Sequence, residues 1–420
     1  MTSENYAGRT AEFRELVNGK PADKGLQPLS ATRIGVVHDW LPVYGGAEHV
    51  LGEILAACPD ADLYSLIDFL SPDQRAFLRD KPVQTSFIQR LPFAHKNYRY
   101  YLPFAPYAIE QFDLSDYDVV ISSSYVVAKG VLTTAEQLHI SYVHSPVRYA
   151  WDLHFQYVRD GKLEHGAKGH LARAVLHYLR LFDAVSANRV DVFVANSRHV
   201  ARRIWKTYRR RAEVIYPPVD TDAFTLCLEK ENYYVTMSRL VPYKRVDLIV
   251  EAFAGMPDKE LIVIGDGPDF KSIAAKATPN VTILGYQPFE AAKHYLRRAK
   301  AFVFAAEEDF GIVPLEAQAC GTPVIAYGKG GVLETVIRDT TGVFFYEQTI
   351  DSLKDAIYRF ESMGSYFEPD TIRYNAERFS KECFRQAFTG LLQRKYEEFT
   401  SRKLTEGIVG GSYEGDGSSL

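Results

Sequence analysis

The chain has 420 residues, enough for two domains of ordinary size. Its 49 lysines and arginines against 53 aspartates and glutamates leave a net charge of -4, which excludes a general nucleic-acid binder with its strong basic excess. The four cysteines, Cys58, Cys227, Cys320 and Cys383, stand far apart with no CxxC pair; this excludes a structural zinc site and a disulfide framework and fits a reducing cytoplasm.

Residues 1–30 are polar and aperiodic and read as a flexible lead-in without the apolar core of a secretory signal. Along the whole chain no apolar run reaches the ~18 residues needed to span a bilayer, so any membrane contact is expected to be peripheral. The ordered part begins at the apolar run 33–38, a buried parallel strand, followed by a glycine turn at Gly45-Gly46 and a helix over 47–57. Further strands are predicted at 118–123, 139–144 and 191–196, with helix or loop between them. That alternation predicts a doubly wound α/β domain over 31–216.

Two adjacent prolines, Pro217 and Pro218, make a stiff connector. A second alternating series follows over 217–375, with strands predicted at 233–238, 260–265, 281–285, 301–305 and 323–327. A charged amphipathic helix is expected over 376–400, then a disordered tail over 401–420 that is rich in glycine and serine. The economical fold class is α/β, with two Rossmann-like domains joined near 216–222.

The strongest chemical signal runs from Glu308 to Glu316. Two glutamates flank seven residues that include Phe310, Gly311 and Ile312, just behind the strand predicted at 301–305. The second glutamate is expected in the first turn of a helix, in the crevice where open α/β sheets bind ligands. Two carboxylates there can accept hydrogen bonds from hydroxyl pairs at both ends of a sugar nucleotide. A capped helix explains one acidic residue, but not the continuation through Gly321-Thr322-Pro323 to Gly330-Gly331.

This run resembles the paired-glutamate segment of family-4 retaining glycosyltransferases, which have the GT-B fold of two facing Rossmann-like domains, and the resemblance extends over roughly 33–395. It implies that Glu308 contacts the transferred sugar, that Phe310, Gly311 and Ile312 offer backbone groups, and that Glu316 holds the ribose. Many members have glycine where this chain has Asp309. The resemblance also implies that Arg239 and Lys244 bind the diphosphate, whose growing negative charge fixed cations stabilise. Gly46 is implied near the phosphates, His144 beside the transferred sugar, and Gly265 and Tyr286 around the nucleotide. Glu308 and His144 are the catalytic candidates. Glu48 and Arg148 are assigned to the acceptor side, and the C-terminal helix is expected to return to the first domain.

Segment 144–152, His-Ser-Pro-Val-Arg-Tyr-Ala-Trp-Asp, is similar to bacterial mannosyltransferases of O-antigen or exopolysaccharide assembly. The expected donor is GDP-mannose and the expected acceptor a polyprenyl-diphosphate-linked saccharide. Basic residues interleaved with aromatics over 88–112, and a basic amphipathic stretch over 168–189, suit an anionic membrane surface, hence a peripheral cytoplasmic location. Core packing and an ordinary surface helix account equally well for these two stretches. No metal is expected, because the Asp-x-Asp triplets starting at Asp60, Asp116 and Asp220 read as turn or capping residues. The alternatives are a sugar-nucleotide epimerase of the same fold and a non-catalytic sugar-nucleotide binder.

Overall fold

The computed structural model describes residues 32–161 and 163–410; the expected lead-in over 1–30 and residues 411–420 of the tail lie outside the described residues. Between them the chain builds two parallel sheets. The first orders its strands β3-β2-β1-β4-β5-β6-β7, and the second β10-β9-β8-β11-β12-β13. The two orders are the same doubly wound plan repeated, with the crossover direction reversing between β1 and β4 and again between β8 and β11. These reversals open a crevice at the carboxyl ends of the strands, where such sheets bind ligands.

The first sheet contains β1 (Ile34–His38), β2 (Asp62–Ser65), β3 (Val83–Thr85), β4 (Val119–Ser124), β5 (Leu138–Val143), β6 (Val192–Ala195) and β7 (Ala212–Val214). Every residue of β4 and β5 is buried, as a strand covered on both faces requires. The second sheet contains β8 (Tyr233–Met237), β9 (Glu260–Ile264), β10 (Val281–Gly285), β11 (Ala301–Phe304), β12 (Val324–Tyr327) and β13 (Gly342–Phe345). The nine predicted strands are present with ends shifted by a residue or two. Strands β2, β3, β7 and β13 are additional, each three or four residues long.

Seven helices matter below. They are α1 (Gly46–Ala57), α2 (Gly166–Ser186), α3 (Arg198–Tyr208), α4 (Val246–Ala254), α5 (Ile312–Ala319), α6 (Ile350–Met363) and α7 (Lys381–Gly410). Helices α4 and α6 cover one face of the second sheet, with Phe253, Leu353, Ile357 and Phe360 in its core. The chain crosses between the sheets twice, side by side. The outgoing connector and the returning one are paired where the Val219 N–H donates to the Phe379 carbonyl at 2.8 Å.

The long helix α7 does return to the first domain. Its Phe384 ring lies 5.9 Å from Tyr142 of β5, and Arg385 meets Glu53 of α1 at 3.4 Å. Farther along, Arg394 reaches Glu213 at 2.7 Å and Lys403 reaches Glu136 at 2.7 Å. The helix therefore continues through residues 401–410, which composition alone assigns to the tail. Among the described residues no helix is long and apolar enough to cross a membrane.

Candidate functional site

The second domain supplies the charged half of the cleft. Helix α5 begins at Ile312, directly after Gly311, whose φ of 91° turns the chain into it. Glu316 therefore falls in the second turn, not the first as expected, because Gly311 caps the helix later than the acidic pattern suggests. The loop before the helix is fixed from behind by a glycine pair. The Gly331 N–H donates to the Glu308 carbonyl at 2.8 Å, and a Cβ on Gly331 would lie 2.3 Å from the Phe310 Cα. Only a residue without a side chain allows that approach, so Gly330-Gly331 holds Glu308 to Phe310 in place.

Lys244 follows β8 and comes to the same point. Its ammonium is in direct contact with the Glu308 carboxylate, and both side chains are largely buried. Burial, followed by the nearby Arg148 guanidinium, pushes the Lys244 ammonium down to about 8, while contact with Glu308 acts in the opposite sense. Arg239 is exposed and makes no ion pair among the described residues. Its loop is fixed by Gly265, where a Cβ would lie 1.8 Å from the Ser238 carbonyl oxygen. Burial, with the charge of Asp220, lifts the Glu316 carboxyl to about 7. Tyr286 stands 76% exposed at the end of β10, open to a flat partner.

The first domain supplies a half built on buried hydrogen bonds. β1 ends in His38, and the carboxylate of the next residue, Asp39, accepts the backbone N–H groups of Tyr125, Val126, Val127 and Ala128 at 2.6–2.8 Å. Those four bonds pin the turn after β4 to the end of β1. Beside them runs a chain of side chains. Glu48 in α1 accepts the Gly45 N–H at 3.0 Å and lies 3.4 Å from His38 Nε2. His38 Nδ1 lies 3.0 Å from Ser123 Oγ, which lies 2.8 Å from His144 Nε2. Burial, with His38 alongside, pushes His144 down to about 3, so its ring is neutral at ordinary pH. Glu48 is buried, with its carboxylate occupied by Gly45 and His38.

The two halves meet around Asp309. Its carboxylate takes Arg203 of α3 and lies 3.6 Å from Arg148 and 4.0 Å from His199, while its backbone carbonyl accepts the Ser197 hydroxyl at 2.6 Å. Arg148 thus reaches the loop before α5 in the other domain, with its guanidinium 5.7 Å from the Tyr243 ring centre. A few ångströms away Glu334 accepts the Arg198 and His199 N–H groups at 2.8 and 2.9 Å, capping α3 from across the cleft. Gly46 completes the closure, with a Cβ there lying 3.3 Å from the Ile312 side chain.

The geometry therefore gathers Gly46, Glu48, His144, Arg148, Arg239, Lys244, Gly265, Phe310, Gly311, Ile312 and Glu316 on the loops and helix starts at the carboxyl ends of the two sheets, with Glu308 at the junction. Reading the sequence missed His38, Asp39, Ser123, Arg203 and Glu334. His38 and Ser123 carried one usable signal, since each is a polar residue at the carboxyl end of a strand beside the reversal point. Arg203 and Glu334 carried none, because the partners they meet across the cleft lie more than 100 residues away along the chain.

Residues 44–223 match Glycosyltransferase Family 4, and residues 221–379 match Glycosyl transferases group 1. The two matches abut and together span the cleft. The chain belongs to the family-4 glycosyltransferases. It is 27% identical over 227 residues to an uncharacterized glycosyltransferase of Methanocaldococcus jannaschii, a match covering 53% of this chain and 63% of that one. It is 31% identical over 204 residues to a GDP-mannose-dependent alpha-(1-6)-phosphatidylinositol monomannoside mannosyltransferase of Mycolicibacterium smegmatis, covering 40% of this chain and 53% of that one. The chain thus aligns with less than two thirds of the length of these curated relatives. Among solved structures, Anabaena HepE in complex with UDP-glucose superposes with a TM-score of 0.64 at 18% identity, covering 86% of this chain and 99% of that one. That likeness establishes the GT-B fold of this family-4 chain.

Proposed function

We propose that this protein is a retaining glycosyltransferase that moves a hexose from a nucleoside diphosphate sugar, mannose from GDP-mannose, to a polyprenyl-diphosphate-linked saccharide in bacterial surface polysaccharide synthesis. The observation that carries this reading is the contact between Lys244 and Glu308 at the mouth of the cleft, beside the unpaired Arg239. A diphosphate entering there replaces Glu308 as the partner of Lys244, which releases the Glu308 carboxylate toward the sugar. Arg239 and Lys244 then stabilise the charge that grows on the leaving diphosphate. His144 and Glu308 orient the sugar and offset positive charge on its ring. The incoming hydroxyl attacks from the face the diphosphate leaves, and that phosphate takes its proton, so neither a protein nucleophile nor a metal is needed. The preference for mannose rests on segment 144–152 and on the similarity to the GDP-mannose-dependent relative.

The acceptor reading draws on the surface of the first domain. Phe93, Tyr100, Phe104 and Tyr107 are 52–80% exposed, and Arg90, Lys96 and Arg99 are exposed among them. These groups suit the interface of an anionic membrane, on its cytoplasmic side. Helix α2 supports this less than its composition suggests. Arg173 and Arg180 turn onto the Leu163, Glu164 and Ala150 carbonyls, and Arg189 just beyond the helix binds the Gly130 carbonyl.

The test is transfer of labelled mannose from GDP-mannose to a lipid extract or a synthetic polyprenyl-diphosphate saccharide. The expected result is an α-linked product formed in the presence of EDTA. Near-normal turnover by folded Glu308→Ala or Lys244→Ala protein would overturn the assigned roles. An epimerase would instead yield a second sugar nucleotide and no lipid product.

A further inference from the structure

We infer that Glu48, His38 and Ser123 form a positioning relay that fixes His144 in the tautomer protonated on Nε2, leaving Nδ1 as a hydrogen-bond acceptor for the substrate. The argument follows protons along one line of contacts. Glu48 sits in the first turn of α1, where one carboxylate oxygen accepts the Gly45 N–H and the other faces His38 Nε2. A carboxylate oxygen accepts. The nitrogen facing it, His38 Nε2, therefore carries the proton. In a neutral ring that leaves His38 Nδ1 bare, so it accepts, and the Ser123 hydroxyl donates to it across 3.0 Å. Having used its one proton there, Ser123 Oγ accepts from the next group, and His144 Nε2 donates to it across 2.8 Å.

The His144 ring is neutral and so holds a single N–H. That proton is committed to Ser123. Nδ1 has no hydrogen-bond partner among the described residues, and the ring is partly exposed, so Nδ1 is the atom left for a ligand. The other neighbours do not compete. Tyr125 and Tyr142 approach His144 as ring contacts at 5.9 and 5.2 Å, and Asn196 donates to its backbone carbonyl at 2.8 Å. His38 and Ser123 are fully buried, so water does not scramble the chain from the side. A sugar hydroxyl meeting His144 thus acts as the donor, and its own lone pairs stay available for another contact.

The relay has a property that ordinary packing lacks, which is that it can be reversed by one near-isosteric change. In Glu48→Gln the side-chain oxygen keeps the Gly45 N–H, and the amide NH₂ faces His38 Nε2. That nitrogen must then accept, His38 Nδ1 donates to Ser123, and Ser123 donates to His144 Nε2. His144 is left protonated on Nδ1.

The relay matters for activity only if the proposed transfer reaction is right, but its proton pattern can be read without a substrate. The experiment is ¹⁵N NMR of the full-length, ligand-free protein labelled at histidine, with the His144 signals identified by their loss in His144→Gln. The expected result is a protonated, pyrrole-type Nε2 and a bare, pyridine-type Nδ1 in the parent protein. The two types exchange places in Glu48→Gln, and Ser123→Ala gives a mixture. In the same Glu48→Gln protein kcat/KM for transfer falls about threefold to tenfold, the value of one neutral hydrogen bond, while Kd for GDP is unchanged. A parent His144 protonated on Nδ1, or an unchanged pattern in Glu48→Gln, overturns the relay. Inverted tautomers with unchanged kcat/KM overturn its role in the reaction. Absence of transfer by the parent protein with every sugar nucleotide tried overturns the proposed function and leaves the proton pattern to be decided by NMR alone.

Discussion

The two walls of the cleft are made from the same fold and prepared in opposite ways. The first domain presents a buried line of hydrogen-bonded side chains, with the neutral His144 at its open end. The second presents charges: Arg239, which has no ion pair among the described residues, and Lys244 held against Glu308. A closed chain of hydrogen bonds is finished before any ligand arrives and needs only to stay rigid. Opposed charges are provisional, because an incoming anion offers one of them a better partner. The difference places pre-organisation on the first wall and rearrangement on the second.

The comparison breaks most visibly at Lys244 and Glu308. Glu308→Ala or Lys244→Ala is expected to lower turnover by about 10² to 10³, the usual loss when one group that stabilises developing charge is removed. Each single change also strands a largely buried charge. Stability should fall by roughly 2 kcal/mol, less than for a fully buried pair because both groups keep some exposure. The double change Lys244→Ala with Glu308→Ala should regain much of that stability and none of the turnover, as read by thermal unfolding beside the transfer assay.

A smaller effect is expected from the junction. Arg203→Ala removes the closest cation on Asp309 and leaves Arg148 and His199. With the loop after Glu308 less constrained, kcat should fall about tenfold, because small misplacement of reacting groups is costly. KM for GDP-mannose should change less. An unchanged kcat would show that the loop is held by Gly330-Gly331 alone.

Glu316 sharpens the comparison through pH. Its folded value of about 7 lies above the ordinary 4.5. Between those values the folded chain holds a proton that the unfolded chain has released, so this group's contribution to stability declines as pH rises through that window. With Glu316 assigned to the ribose, ligand binding is expected to have the opposite trend, because ribose hydroxyls donate to an ionised carboxylate. Affinity for GDP should therefore strengthen from about pH 6 to about pH 7.5, by no more than about tenfold per unit. Titration calorimetry checks this, and Glu316→Gln should flatten the profile.

How much of this the sequence reveals follows from the range of the interactions. The buried strands, the glycine loops and the span from Glu308 to Glu316 are local patterns, and the fold departs from them only in detail, as where Glu316 moves to the second turn of α5. The basic stretch over 168–189 misleads because composition counts Arg173, Arg180 and Arg189 as free, whereas the fold turns each onto a backbone carbonyl. Asp309 is the sharper case. In the sequence it is a departure at one loop position; in the fold it is the residue through which Arg203, Arg148 and Ser197 hold the two walls together. Such a role depends on groups distant in the chain, and no local pattern encodes it.

Helix α7 carries a consequence for how the molecule is made. Phe384, Phe388, Leu391 and Leu392 are buried, and the helix lies across α1 and β5, elements completed before residue 150 is added. The first domain must wait for a segment translated long after its own strands before its surface is sealed. During that interval the apolar side of α1 stands open, and a chain stalled before residue 381 would display it permanently to chaperones and proteases.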